Sequence, residues 1–133
     1  NDIEKHLFCV TILVESRGIC MVCGKLEIDI LNSFWHLAEM NEDKDISIQD
    51  VVDDLSSSGV ERAYTTIKTV MDRLTVKAVL VRYKVGKKFF YKAAMSKEEM
   101  AVEAVNEVCN NFFNGSYSDM IHFVERYTQD MLV

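Results

Sequence analysis

The sequence predicts a mainly α-helical fold with a small β-hairpin, and three observations carry that expectation. Apolar residues recur at helical spacing in five separate stretches. Between the third and fourth of these, residues 79–92 alternate in the manner of two strands about Gly86. The 133 residues contain no proline, which permits long helices and disfavours a loop-rich all-β architecture.

The first helix is expected over 26–38, with Leu26, Ile30, Phe34 and Leu37 on one face and Leu31 and Trp35 alongside. Asn41 to Asp45 is a polar break. Ser47 then offers an N-cap oxygen with Asp50 three residues on, a capping-box variant ahead of Ile48, Val51, Val52 and Leu55. This second helix is short and ends in the run from Ser56 to Gly59. The third, about 62–77, gathers Tyr64, Ile67, Val70, Met71 and Leu74 on one face. Its opposite face carries Arg62, Thr65, Thr69 and Asp72, flanked by Thr66, Lys68 and Arg73.

Val79, Val81, Tyr83 and Val85 alternate with Leu80, Arg82 and Lys84, so this stretch reads as a strand. Gly86 and Lys87 turn the chain, and a second strand returns from Lys88 to Lys92. Ser96 with Glu99 is a capping box opening a helix through Met100, Ala104, Val108 and Phe112. Asn114-Gly115 closes it as a left-handed C-cap. Ser118 is the expected cap of a last helix bearing Ile121, Val124, Tyr127 and Met131. Phe34, Trp35, Leu37, Ile67, Met71 and Leu74 are the expected core.

Composition narrows the class. With 49% hydrophobic and 10% aromatic residues the chain can build a core, which excludes intrinsic disorder. The longest mainly apolar run, Leu7 to Val14, is far short of the roughly 20 residues a membrane span needs. Asp2 and Glu4 precede that run and no small-residue cleavage site follows, so a cytoplasmic protein is expected. The four cysteines are too few and too unevenly spaced for a disulfide scaffold.

The formal charge of −6 hides a segregation. Residues 26–58 carry nine acids against Lys44, whereas residues 59–97 carry ten bases against Glu61 and Asp72. Residues 98–133 turn acidic again, with seven acids against Arg126. A block of +8 inside an acidic chain is an electrostatic footprint for a polyanion, or else a solvated basic surface. Three short helices and then a hairpin is the order of a winged helix-turn-helix, whose third helix enters the DNA major groove. The positive block covers that third helix and the hairpin and nothing else. The expected organisation is an N-terminal extension of unknown role over 1–24, a winged-helix domain over 25–95 and dimerisation helices over 96–133.

From Arg62 to Leu74 the chain reads Arg-Ala-Tyr-Thr-Thr-Ile-Lys-Thr-Val-Met-Asp-Arg-Leu. Residues 79–91 follow as Val-Leu-Val-Arg-Tyr-Lys-Val-Gly-Lys-Lys-Phe-Phe-Tyr, and 95–99 as Met-Ser-Lys-Glu-Glu. Upstream, Leu-Glu-Ile-Asp-Ile-Leu-Asn-Ser-Phe-Trp runs from 26 to 35. In these motifs the sequence resembles the penicillinase-repressor family of winged-helix transcriptional regulators, over about residues 25–130. The resemblance implies a homodimer that represses by occupying a dyad operator and is relieved by cleavage in its dimerisation region. Ala78 stands where the family usually has glycine, so that turn is expected to be strained or reshaped. Val85 replaces a charged wing residue, and His122-Phe123 stands in place of an Asn-Phe cleavage site. The paired Cys-x-Cys of the copper-responsive branch is absent from the sequence.

Thr65, Thr66, Lys68 and Thr69 are the residues expected to meet base edges, since threonine can donate, accept or present a methyl and lysine can donate to guanine. Arg62, Arg73, Lys84, Lys87 and Lys88 are assigned to phosphates. Tyr64 either touches the backbone or joins the core, and Asp72 is expected to pair with Arg73 or Lys68. Phe112, Phe113, Ile121, Val124, Tyr127 and Met131 are more apolar than two small helices can hide, so a two-fold partner is expected to cover them.

Two other readings compete with an operator-binding repressor. One is a winged-helix module whose basic face docks an acidic protein. The other is a metal or redox sensor: His6, Cys9, Cys20 and Cys23 could supply four ligands to tetrahedral zinc, although Cys9 lies in an apolar run that suits an ordinary core cysteine. No cofactor is expected. Catalysis finds no phosphate loop, nucleophile elbow or His-Glu metal pair, and His6, His36 and His122 fall in separate elements. The acids of 26–58 read as a solvated helix face.

Overall fold

The computed structural model describes residues 24–131. The chain divides into two compact units with the break between Lys97 and Glu98, each described by itself. Helices α1 (Lys25–Met40), α2 (Ile48–Ser57) and α3 (Tyr64–Val76) and strands β1 (Leu80–Val85) and β2 (Lys88–Ala93) make the first unit. Helices α4 (Lys97–Phe112) and α5 (Tyr117–Met131) account for the second. The expected class therefore stands: the described residues are mainly helical, with one antiparallel hairpin among them.

Ile30, Leu31 and Phe34 of α1 are buried with Val51 and Leu55 of α2 and with Ile67, Met71 and Leu74 of α3. Val79, Leu80 and Tyr91 of the hairpin base are buried as well. Each such side chain contributes about 1.5–3 kcal/mol, so α3 is fixed through three or four core contacts. Trp35 and Leu37, expected in this core, are only half-buried. Trp35 lies at the margin because its indole N–H donates to the Met95 carbonyl oxygen at 3.1 Å, a polar demand better met at an edge.

Local chemistry fixes the helix ends. The Asp50 amide donates to Ser47 Oγ at 3.2 Å while Asp50 Oδ2 accepts from the Ser47 amide at 2.9 Å, the reciprocal capping box read from the sequence. Helix α2 stops in a Schellman motif: Val60 N–H reaches Leu55 O at 2.8 Å and Gly59, at φ +88°, reaches Ser56 O at 3.1 Å. Helix α3 stops the same way, Val79 N–H on Leu74 O and Ala78 N–H on Thr75 O, both at 3.0 Å. Here the left-handed position is Ala78, at φ +61°, so the turn keeps its shape and carries the strain.

The hairpin pairs Leu80 with Ala93 through Val85 with Lys88, leaving Gly86 and Lys87 as a two-residue loop. Positive φ at Gly86, +64°, is the type II′ arrangement that matches strand twist. A further single bridge joins Ile46 to Tyr91, whose amide donates to Ile46 O at 2.8 Å. It extends the wing by one pairing that no periodicity announced.

In the second unit Asn114 (φ +52°) and Gly115 (φ +80°) turn the chain between α4 and α5, and Cys109 is fully buried. Helix α5 is capped by Ser116, not by Ser118 as expected: Ser116 Oγ accepts from the Asp119 amide at 3.3 Å and Ser116 O accepts from Met120 N–H. The tight turn starts the helix two residues earlier and leaves Ser118 in its first turn. Phe113 packs on Phe123 at 5.4 Å between centroids, and Phe123 stacks on Tyr127 at 6.1 Å. No helix among the described residues is long and apolar enough to cross a membrane. His6, Cys9, Cys20 and Cys23 lie outside the described residues.

Candidate nucleic-acid interface

Burying Ile67, Val70, Met71 and Leu74 turns the other side of α3 to solvent, with Thr65, Thr66, Lys68 and Thr69 exposed along it. Tyr64, placed by periodicity with the buried set, is 46% exposed at the start of the helix and belongs to the surface. No side chain caps α3, whose N-cap is Ala63. Thr69 Oγ1 donates to Thr65 O at 2.9 Å. Arg62 is exposed, its Nη1 donating to Glu61 O at 2.8 Å.

Asp72 pairs with Lys68 rather than Arg73, Nζ to Oδ2 at 2.7 Å. The hydrogen bond and the charge of Asp72 raise the Lys68 ammonium above its ordinary value, and the charge of Arg82 on β1 works against them. Helix α3 packs against β1, the strand that carries Arg82.

Arg73 and Lys77 take a different direction. Both reach Glu27 on the first turn of α1, at 3.5 and 3.1 Å. Glu27 is 6% exposed, so the acids of 26–58 are not uniformly a solvated face. Burial is tolerated here because two cations meet the carboxylate and because α1 presents its positive end to an anion. Asp54 is likewise half-buried, accepting from Ser33 Oγ at 2.7 Å and holding His36 Nδ1 at 2.9 Å.

Residues opposite one another in the hairpin share a face, so Arg82 and Lys84 project on the side of Tyr91 and Phe89. Tyr91 is buried at the base, while Phe89 is 49% exposed nearer the tip. Arg82 Cζ lies 4.6 Å and Lys84 Nζ 5.4 Å from the Phe89 ring centroid. Arg82 was absent from the expected contacts, yet it precedes Lys84 by two residues, and strand alternation alone puts both on one face. Lys87 and Lys88 are exposed at the tip. On the opposite face the Tyr83 hydroxyl donates to Asp45 Oδ1 at 2.5 Å, tying the wing to the segment before α2. That bond, with some burial, pushes the Tyr83 hydroxyl up to about 12.

The surface thus sets threonine hydroxyls and methyls, able to address base edges, beside cations suited to phosphates. The family model of the penicillinase repressor matches residues 23–131, which contain every element described above. The chain belongs to the penicillinase repressor family. Membership makes it a DNA-binding transcriptional regulator. The structure of a ferric uptake regulator from Francisella tularensis, solved with iron, is similar over 58% of this chain, at 22% identity and a TM-score of 0.46. The similar region spans 56% of that regulator's length. No curated protein matches the chain. Within the penicillinase repressor frame, Ala78 is the departure with a visible cost, since it holds the positive φ that glycine adopts freely.

Proposed function

We infer that this chain represses transcription as a homodimer on a dyad operator, with α3 in the major groove and the wing on the adjoining backbone. The observation that carries this reading is the exposed threonine face of α3, a helix that packs against β1 of the wing, both inside the +8 block. Thr65, Thr66, Lys68 and Thr69 read bases, with Tyr64 at the helix start on the backbone. Arg62, Lys84, Lys87 and Lys88 hold phosphates. Arg73 spends its charge partly on Glu27 and is the weakest of these contacts.

The dimer rests on the second unit. Helix α5 buries none of its residues, and Phe112, Ile121, Val124, Tyr127 and Met131 are all exposed. A two-fold partner covers such a face and matches two half-sites. Phe113, half-buried against Phe123, contributes less than Phe112.

The test is fluorescence anisotropy on a pool of short duplexes from about 50 to 200 mM salt, followed by operator selection. With roughly 6–10 phosphate contacts, affinity falls by about 10³–10⁵ over that range. Alanine at Thr65, Thr66 or Lys68 then costs about 1–3 kcal/mol at one base position, whereas alanine at Lys84 weakens all sequences alike. Light scattering should return twice the chain mass. Equal affinity for every duplex, or a monomer on DNA, overturns the reading.

A further inference from the structure

We propose that Phe89 is a positioning residue for DNA binding: its ring face holds the Arg82 guanidinium and the Lys84 ammonium side by side as a preformed phosphate clamp. The proposal rests on the operator-binding reading above and adds the means by which the wing grips.

Arg82 and Lys84 are two residues apart on one strand face, where like charges repel and long side chains spread into solvent. Phe89 is the direct cross-strand partner of Lys84 and the diagonal neighbour of Arg82. Its centroid lies 4.6 Å from Arg82 Cζ and 5.4 Å from Lys84 Nζ, inside the range in which a ring's electron-rich face attracts a cation. A phenylalanine half-exposed near a hairpin tip adds little to the core. What it does touch is the pair of cations, whose freedom it reduces before any ligand arrives. The clamp stands on β1, the strand that packs against α3.

The experiment compares the full chain as wild type, Phe89→Leu, Phe89→Trp, the Arg82→Gln/Lys84→Gln double variant and the triple variant that adds Phe89→Leu. Each is titrated by anisotropy with the duplex selected above and with a scrambled duplex, across the salt series. Leucine keeps apolar bulk at an exposed strand position, and thermal unfolding checks that every variant is folded. We expect Phe89→Leu to weaken both duplexes alike, about 5-fold, and to flatten the salt dependence by up to about one log unit per log unit. Phe89→Trp restores both, and the triple variant binds no more weakly than the double. Wild-type affinity in Phe89→Leu, or no rescue by tryptophan, overturns the proposal. So does a triple variant that loses a further 5-fold beyond the double, because the ring then touches DNA itself. A double variant with wild-type salt dependence removes the wing from the interface, and a wild type that binds no duplex removes the operator reading as well.

Discussion

Lys77 donates to the buried carboxylate of Glu27 across 3.1 Å and fifty positions of sequence. The contact ties the C-terminal end of α3 to the first turn of α1, with Arg73 as the second partner.

The two ends of that contact are unequal. Glu27→Gln removes the anion and leaves two partly exposed cations that turn to water, at a cost of about 1–2 kcal/mol. Lys77→Met leaves a buried carboxylate with Arg73 as its remaining cation and costs about 2–3 kcal/mol. Urea midpoints at neutral pH rank the two, and the reverse order contradicts the account.

Ala78→Gly should stabilise the fold. A left-handed alanine costs about 1–2 kcal/mol, of which glycine's greater freedom in the unfolded chain cancels about half. The net gain of about 0.5–1 kcal/mol appears as a rise of a few degrees in Tm. Ala78→Val, β-branched at the same φ, should fall below wild type.

The Tyr83 hydroxyl, raised to about 12 by its bond to Asp45, is a linkage between the wing and the segment before α2 that depends on the proton. Its pKa is higher folded than unfolded, so its contribution is complete below the ordinary value of 10.0 and is lost as pH rises from there through about 12. Phenolate absorbance should show one step centred at about 12, absent from Tyr83→Phe. Between wild type and Tyr83→Phe the stability difference should close over the same interval.

Asp50 has the opposite sign. Burial favours its neutral form, but hydrogen bonds from the Ser47 backbone and side chain, with the Lys44 charge, outweigh burial and hold it below 3.8. Its contribution is present above 3.8 and is lost as pH falls through the lower folded value. Asp50→Asn should therefore cost about 1 kcal/mol at neutral pH. The urea midpoints of variant and wild type should converge as the medium is acidified below 3.8.

The sequence alone reveals whatever short-range chemistry determines. The Ser47–Asp50 box, the stops at Gly59 and Asn114 and the turn at Gly86 each depend on a few consecutive residues. The core face of α3 followed from its period, except at Tyr64, where the helix begins and the period has too few neighbours to decide. Nothing local in the sequence separates a buried carboxylate such as Glu27 from a solvated one. Its burial depends on Arg73 and Lys77, 46 and 50 residues away. The Ile46–Tyr91 bridge escaped for a related reason, since a single paired residue has no alternation to reveal it. Arg82 and Phe89 were within reach of strand alternation, and only the register joined them.

The bond from Thr69 Oγ1 to Thr65 O carries a consequence for the operator's letters. With its one hydrogen given to the helix, the hydroxyl has only lone pairs and a methyl to offer a base. In the proposed complex Thr69 therefore cannot serve guanine, whose major-groove edge presents only acceptors. It suits the amino group of adenine or cytosine, or the methyl of thymine. A guanine selected at that position would require the threonine to release its own helix first.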